Sequence, residues 1–139
     1  MVQIIAGQKG KGKTTYLLER ANLAVKESKG SIVYLDKSTK NMHSLNTEIR
    51  LVNVSDYPIR SYNAFIGFLC GIISKDYDLE YLFIDSFLKL AHLEDEDIAS
   101  AVIELEQISQ QYGITIVLSI SLDASELPEV AQSKIAVSL

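Results

Sequence analysis

The chain has 139 residues, of which 47% are hydrophobic and 22% charged, and its net charge is −5. This length and composition are typical of one globular domain, so we expect residues 1–139 to form a single domain around one core. The acidic balance argues against a dedicated nucleic-acid-binding protein, which would carry a basic face. The single cysteine, Cys70, excludes a disulfide or a Cys-based metal site within one chain. Because it lies in the apolar run GFLCGII, we expect it to be buried.

The sequence contains no stretch of the ~18 consecutive apolar residues that a membrane-spanning helix needs. It begins directly with the strand-like run VQIIAG and has no basic segment before it. We therefore expect no membrane span, no signal peptide and a cytoplasmic location.

Short apolar runs alternate with longer segments of helical period along the chain, which predicts βαβ units and a mostly parallel sheet. The second, fourth and fifth runs are almost wholly apolar, as strands are when helices cover both faces of their sheet. The expected fold class is therefore α/β, a three-layer sandwich. The predicted strands cover residues 2–6, 32–35, 49–54, 81–84 and 114–120.

Helices are predicted over residues 13–28, from a Ser61 cap to about residue 75, and over residues 95–112 with an apolar stripe that ends at Tyr112. The acidic run at residues 94–97 fits the N-terminus of the third helix, where the dipole favours carboxylates; a metal cluster is the alternative. Residues 37–47 are predicted to be loop or a marginal helix. The tail fits a short helix from Ser125 and a strand at residues 135–137.

Residues 7–14 read GQKGKGKT and match the phosphate-loop pattern G-x-x-x-x-G-K-[ST], directly after a predicted strand and before a predicted helix. Gly7 would let the chain leave the strand in a conformation that a Cβ opposes, and Gly12 would let the backbone approach phosphates closely. Lys13 would place a charge on the β- and γ-phosphates, and Thr14 a hydroxyl on Mg²⁺. The predicted nucleotide-binding residues are Gly7, Gln8, Lys9, Gly10, Lys11, Gly12, Lys13, Thr14 and Thr15.

A second element of such a site is a carboxylate at the end of a neighbouring strand, close to the metal. Asp85 ends the apolar run YLFID, so we predict that Thr14 and Asp85 form the Mg²⁺ site. The alternative for Asp85 is a residue that caps the turn after its strand. Lys9 and Lys11 occupy free positions of the phosphate-loop pattern and either attract the polyanion or are solvated charges.

With these two motifs, the chain resembles the P-loop NTPase superfamily: GQKGKGKT looks like its first motif (Walker A) and YLFID like its second (Walker B). Two further βα-type segments separate the motifs, which resembles the RecA-like branch, where an additional strand lies between the two motif strands. Nearly the whole chain is also loosely similar to short bacterial P-loop ATP-binding proteins of unsettled function. The resemblance implies ATP and Mg²⁺ as ligands, with Lys13 acting on the transferring phosphate.

The sequence departs from that family pattern at the catalytic positions. Many ATPases of this branch have a Glu directly after the second-motif Asp, where this chain has Ser86. Some RecA-like members instead take a carboxylate from the end of strand two, which makes Asp36 a catalytic candidate. Ser119 and Ser121, near the end of the fifth strand, are candidates for the γ-phosphate sensor. We expect strand alternation to let only one of them face the site.

Arginines and histidines are few. None of the three arginines, Arg20, Arg50 and Arg60, is well placed in cis to neutralise transition-state charge. We therefore expect a neighbouring subunit of a homo-oligomer, or a protein partner, to supply an arginine. His43 and His92 have no partner at metal-ligand spacing and are predicted to lie on the surface or in loops.

The sequence thus predicts an ATP–Mg-binding protein with slow or partner-stimulated hydrolysis. ATP is favoured because no guanine-reading N/T-K-x-D motif is present, and nucleic acid is not indicated as a partner. A small-molecule or nucleoside kinase is the first alternative; few arginines and no lid insertion disfavour it, although thymidine-kinase-like proteins share the RecA-like core. A non-hydrolysing nucleotide sensor is the second alternative.

Overall fold

The computed structural model describes residues 1–94 and 97–139, which contain a six-stranded, all-parallel sheet. The strands are β1 (Val2–Ala6), β2 (Ser31–Asp36), β3 (Ile49–Asn53), β4 (Leu79–Ile84), β5 (Thr115–Ile120) and β6 (Ile135–Ser138). Their order across the sheet is β3-β2-β4-β5-β1-β6. The helices are α1 (Lys13–Glu27), α2 (Tyr62–Lys75), α3 (Phe87–Leu90), α4 (Ile98–Tyr112) and α5 (Glu129–Gln132).

Each central strand contributes to two apolar cores, because successive side chains of a strand point to opposite faces of the sheet. Ile5 of β1 belongs to the core that contains Leu17 of α1. Its neighbour Ile4 belongs to the other core, together with Phe65 of α2 and Leu105 of α4. Helices therefore cover both faces of the sheet, and the predicted three-layer α/β sandwich is confirmed.

Several helices and strands begin or end at other residues than the sequence predicts. β3 ends at Asn53 because the Asn53 side chain accepts a hydrogen bond from the Ser55 amide and starts a 3₁₀ turn. The segment at residues 37–47 is irregular except for a 3₁₀ turn at Met42–Ser44. α3 was not predicted, because its four residues are too short to show a helical period. In the tail, the last strand is confirmed, and the predicted short helix is divided into a 3₁₀ turn at Ala124–Glu126 and α5, which begins after Pro128.

Two predictions of burial are wrong. Cys70 is exposed. α2 packs one face against the core, Leu69 belongs to that buried face, and Cys70 lies outside it. Tyr112 is 51% exposed, since it is the last residue of α4 and Gly113 then turns the chain towards β5 with a φ of 65°. Residues 95–96, on which the acidic-run interpretation depends, lie outside the described residues.

α4 begins at Ile98, three positions after the predicted start, and Asp97 at its N-terminus makes no side-chain capping hydrogen bond. Ser61 does cap α2 as predicted, since its hydroxyl accepts a hydrogen bond from the Ala64 amide at 3.1 Å. Among residues 1–94 and 97–139, no helix is long and apolar enough to span a membrane.

Two glycines provide a matched test of this packing. A Cβ added to Gly30 would lie 2.2 Å from the carbonyl oxygen of Asp78, whereas a Cβ on Gly67, in α2, would have no atom within 4 Å. We expect Gly30→Ala to lower the free energy of unfolding by about 1–3 kcal/mol through overpacking. Gly67→Ala should raise it by ~0.5–1 kcal/mol because alanine favours a helix. Urea unfolding measures both, and a Gly30→Ala protein as stable as the parent would contradict the close approach at residue 78.

Candidate functional site

The GQKGKGKT segment joins β1 to α1 at the carboxyl edge of the sheet. Gly10 and Gly12 both have a φ of +87°, a region that glycine adopts without a steric penalty. Gly12 directly precedes α1, so this conformation turns the chain into the first helical turn. The Nζ of Lys13 donates a hydrogen bond to the Gln8 carbonyl at 3.0 Å. The loop therefore folds back over the lysine of its own motif.

The reason predicted for Gly7 is wrong, while the loop itself has the expected place between strand and helix. Gly7 is not among the residues with positive φ. A Cβ at Gly7 would instead lie 3.1 Å from both the Cβ and the carbonyl oxygen of Leu139. Gly7 is thus constrained by the close approach of Leu139, which follows β6. The backbone conformation that favours glycine occurs at Gly12 instead.

The Lys13 side chain is only 7% exposed. Burial lowers the pKa of its ammonium group below the usual value for lysine, and the negative charge of Asp85 partly opposes that shift. An ammonium group that is removed from water is stabilised by a nearby anion. The ammonium group of Lys13 is therefore better suited to binding an anion than to remaining in contact with water.

Three hydroxyl groups converge on the carboxylate of Asp85, which is 3% exposed. Thr14 Oγ1 donates to Asp85 Oδ2 at 3.1 Å and lies 3.4 Å from Oδ1. Ser119 Oγ donates to Oδ1 at 2.8 Å, and the Tyr34 hydroxyl donates to Oδ2 at 3.3 Å. These donors come from α1, β5 and β2, so one carboxylate joins three elements of the fold.

The Tyr34 hydroxyl is held in its protonated, donating form. Burial raises the pKa of Tyr34 well above its usual value, and the negative charges of Asp85 and Asp36 and the hydrogen bond to Asp85 raise it further. The phenol therefore remains a hydrogen-bond donor to Asp85 at any ordinary pH.

Thr14 and Asp85 present oxygen atoms that could hold a divalent cation. A threonine hydroxyl has a single proton, and Thr14 directs it to Asp85, so the lone pairs of Thr14 Oγ1 are free to bind a cation. Hydroxyl and carboxylate oxygens are ligands that suit Mg²⁺. The described part of the chain contains no group of three or more His, Cys, Asp or Glu side chains that could hold a metal ion.

A cavity of about 550 Å³ opens between the GQKGKGKT segment and the segments that follow β2 and β4. This volume lies in the range of small-molecule binding sites. The lining is dominated by lysine and hydroxyl side chains. The lining residues are Lys9, Gly10, Gly12, Lys13, Thr14, Thr15, Lys37, Lys40, Asp85, Ser86, Leu88, Lys89, Ser119 and Ser121.

Not every predicted site residue lines this cavity. Gly7, Gln8 and Lys11 are absent from the lining, and the Gln8 side chain instead donates to Glu126 Oε1 at 2.9 Å. Asp36 is also absent from it. The Asp36 carboxylate is buried and accepts hydrogen bonds from the loop that follows β2. A direct catalytic role for Asp36 stays a prediction.

The expectation that only one of Ser119 and Ser121 faces the site is wrong, because both line the cavity. Side chains two positions apart along a strand point to the same face, so alternation places them together. Ser119 also accepts a hydrogen bond from the Ser86 amide at 2.8 Å. Ser86 has a φ of 55°, which is uncommon for a residue with a Cβ and is typical of strained positions near functional sites.

The arginines lie away from the cavity. The Arg20 guanidinium lies 5.2 Å from the centre of the Tyr81 ring and 3.8 Å from the Glu27 carboxylate, and Arg50 and Arg60 are exposed. None of the three lines the cavity.

The histidines lie where the sequence predicted them, in exposed positions outside the helices α1–α5 and the strands. His43 is part of the 3₁₀ turn at Met42–Ser44. A ring nitrogen of His92 lies 2.9 Å from the Ile59 carbonyl oxygen.

Sequence reasoning missed Tyr34, whose hydroxyl binds Asp85, and the lining residues Lys37, Lys40, Leu88 and Lys89. The first three lie in β2 or within four positions after it, and the last two follow β4 by four and five positions. Since ligands of parallel sheets bind outside the carboxyl ends of the strands, all polar residues after these strands were candidates. The motif alone did not indicate which strand ends are neighbours.

No protein-family model matches the chain, and no curated protein matches it either.

Proposed function

We propose that this chain is a P-loop nucleotide-binding protein of the RecA-like type, which binds ATP with Mg²⁺ and hydrolyses it slowly. The hydrogen bond between Thr14 Oγ1 and Asp85 Oδ2 is the observation that carries the proposal. It joins the last residue of the GQKGKGKT motif to the last residue of the YLFID run, 71 positions away. An Asp that only capped a turn would have no reason to meet this threonine.

The strand order supports the same proposal. β1, which precedes the phosphate loop, and β4, which precedes Asp85, are separated in the sheet by β5. An additional strand between the two motif strands is what the resemblance to the RecA-like branch implies. The end of β5 then lies between the two motifs, and Ser119 contacts Asp85 from there.

The residues of the site have complementary tasks. Backbone N–H groups of the loop and of the start of α1 face the phosphates, as at other helix N-termini, and Lys13 adds a positive charge. Mg²⁺ neutralises charge on the phosphate oxygens when it is bound with the nucleotide. Thr14 is the residue that would hold the ion directly, and Asp85 fixes the orientation of the Thr14 hydroxyl.

Slow hydrolysis follows from what the lining offers. Within the described residues, Asp85 is the one carboxylate that lines the cavity, and both of its oxygens already accept hydrogen bonds. Ser86 cannot orient water as a carboxylate base does, and none of the arginines lines the cavity. The same observation favours a second candidate function, a nucleotide sensor that binds without hydrolysis.

Lys13→Ala tests the binding part of the proposal. We expect the loss of this charge to weaken Mg–ATP binding at least ~tenfold, because hydrogen bonds to charged groups contribute about 1.5–3 kcal/mol. Lys26→Ala, on the exposed side of α1, is the matched control and should bind like the parent. Titration calorimetry measures affinity, and circular dichroism checks the fold. Equal affinities in the two variants would mean that the loop does not bind the nucleotide.

Asp85→Asn tests the metal part. We expect nucleotide to bind through the loop but to need more Mg²⁺ for the same affinity, since the orientation of Thr14 depends on the carboxylate. Asp36→Asn changes the other buried carboxylate at a strand end, and it should keep the parental Mg²⁺ dependence. Calorimetric titrations at several Mg²⁺ concentrations compare the two. A parental Mg²⁺ dependence in Asp85→Asn would reduce Asp85 to a structural residue.

Turnover is the third measurement. We expect the purified chain to release phosphate from Mg–ATP well below the ~1–100 s⁻¹ that is typical of kinases. If a second copy supplies an arginine, the rate per molecule should rise with protein concentration. Phosphate release is followed from nanomolar to micromolar protein, with and without a panel of nucleosides. A nucleoside-dependent rate would favour a kinase, and a rate above ~1 s⁻¹ at nanomolar protein would refute slow hydrolysis.

A further inference from the structure

Three lysines reach the cavity from strand ends other than that of β1, and we call Lys37, Lys40 and Lys89 the lysine cluster. Lys37 and Lys40 follow β2, and Lys89 belongs to α3, which follows β4. β2 and β4 are neighbours in the sheet, whereas β1 lies two strands from β4. Neighbouring strands lie ~4.8 Å apart, so the ends of β4 and β2 lie about 10–14 Å along the sheet edge from the end of β1, where the phosphate loop begins.

The cluster makes this cavity strongly basic in an acidic protein. With Lys9 and Lys13, five lysines of the described residues line the cavity, and Asp85 is the one carboxylate among those same residues that does so. The ion pairs within the described residues, Arg20–Glu27 and Lys134–Glu106, include none of these lysines. A positive field confined to one cleft attracts anions even when the net charge of the chain is negative.

The loop that carries Lys37 and Lys40 is held in place by hydrogen bonds. Asp36 Oδ1 accepts from the Lys37 amide at 2.7 Å, and Asp36 Oδ2 accepts from Asn41 Nδ2 at 3.2 Å. The Ser55 hydroxyl donates to the Lys37 carbonyl at 2.5 Å. The backbone that presents the two lysines is thus fixed before any ligand arrives, which lowers the entropic cost of binding one.

We propose that the lysine cluster binds the phosphate group of a second ligand, beside the nucleotide and on the Asp85 side of it. This inference rests on the proposed function, because it assigns the phosphate loop to the nucleotide. Asp36 is a positioning residue of this second subsite, since it orders the loop between Lys37 and Asn41.

The composition of the cluster identifies the class of ligand. Lysine is a compact point charge that binds phosphate, whereas the planar guanidinium of arginine matches a carboxylate with two parallel hydrogen bonds. The cluster contains lysines alone, so a phosphate monoester or free phosphate fits it better than a carboxylate. A nucleic-acid strand fits less well, because its backbone needs a continuous basic surface and the basic residues here surround one cavity.

The test uses the full chain saturated with Mg²⁺ and a non-hydrolysable ATP analogue, which fills the γ-phosphate position. Inorganic phosphate and glycerol 3-phosphate are then titrated in separate arms, by calorimetry and by ³¹P line broadening. We expect at least one of them to bind without displacing the analogue, and the arm that binds tells free phosphate from a phosphorylated small molecule. Failure of both to bind overturns the proposal, and binding of a single-stranded oligonucleotide in their place would favour nucleic acid.

Two double variants, each of which removes two positive charges, test where the phosphate probe binds. Lys37→Gln with Lys40→Gln should weaken binding of the phosphate probe by about tenfold or more, and should weaken analogue binding much less. Lys26→Gln with Lys75→Gln, exposed on α1 and α2, should change neither. Asp36→Asn should weaken the probe and leave the Mg²⁺ dependence of the analogue as in the parent. Equal losses of probe and analogue in the cluster variant would make these lysines part of the nucleotide site and overturn the proposal.

The outcomes also separate this inference from the proposed function. A parent protein that binds the analogue but neither phosphate probe contradicts only the second subsite. A parent that binds no nucleotide contradicts the proposed function, and the probes are then titrated alone. Loss of probe binding in the cluster variant, but not in Lys13→Ala, would still assign the phosphate to the cluster. Loss in Lys13→Ala alone would assign it to the phosphate loop and overturn the proposal.

Discussion

The buried carboxylate of Asp85 is the group on which the rest of the site depends. A charge that is removed from water is costly unless hydrogen bonds replace the lost solvation. Thr14, Ser119 and Tyr34 provide these bonds from α1, β5 and β2. The bond from Thr14 also ties the first turn of α1, and with it Lys13, to the carboxyl end of β4. The need to stabilise this one buried charge therefore determines both how the elements around the site are joined and where the Thr14 hydroxyl points.

The apolar character of the central strands explains why the polar chemistry is concentrated at one edge. β2, β4 and β5 are buried along nearly their whole length, with α1 on one face of the sheet and α2 and α4 on the other. Charged side chains are therefore placed near the ends of these strands, and Asp36 and Asp85 lie at the carboxyl ends of β2 and β4. Ligands of parallel sheets bind at this edge, and the cavity opens there.

The charges that surround the cavity suit binding more than hydrolysis. Lysines of the chain itself provide the positive field, while Arg20 packs on Tyr81 and contributes nothing to the lining. Hydrolysis needs a group that orients water as well as a cation, and the one lining carboxylate among the described residues is engaged by its hydroxyl donors. In the proposed function, binding of the nucleotide and slow hydrolysis would thus have the same structural origin.

The sequence by itself determined the α/β class, the six strands, the three long helices and the pairing of GQKGKGKT with Asp85, because periodicity and motif spacing are local properties. It could not place Lys37, Lys40 or Lys89 at the cavity, or Tyr34 beside Asp85, since nothing local says that the ends of β2 and β4 are neighbours. Cys70 was misplaced for a related reason: a helix that is apolar on most sides does not reveal which side meets the sheet. The tertiary structure decided these points because strand order and helix orientation depend on contacts between residues far apart in the chain.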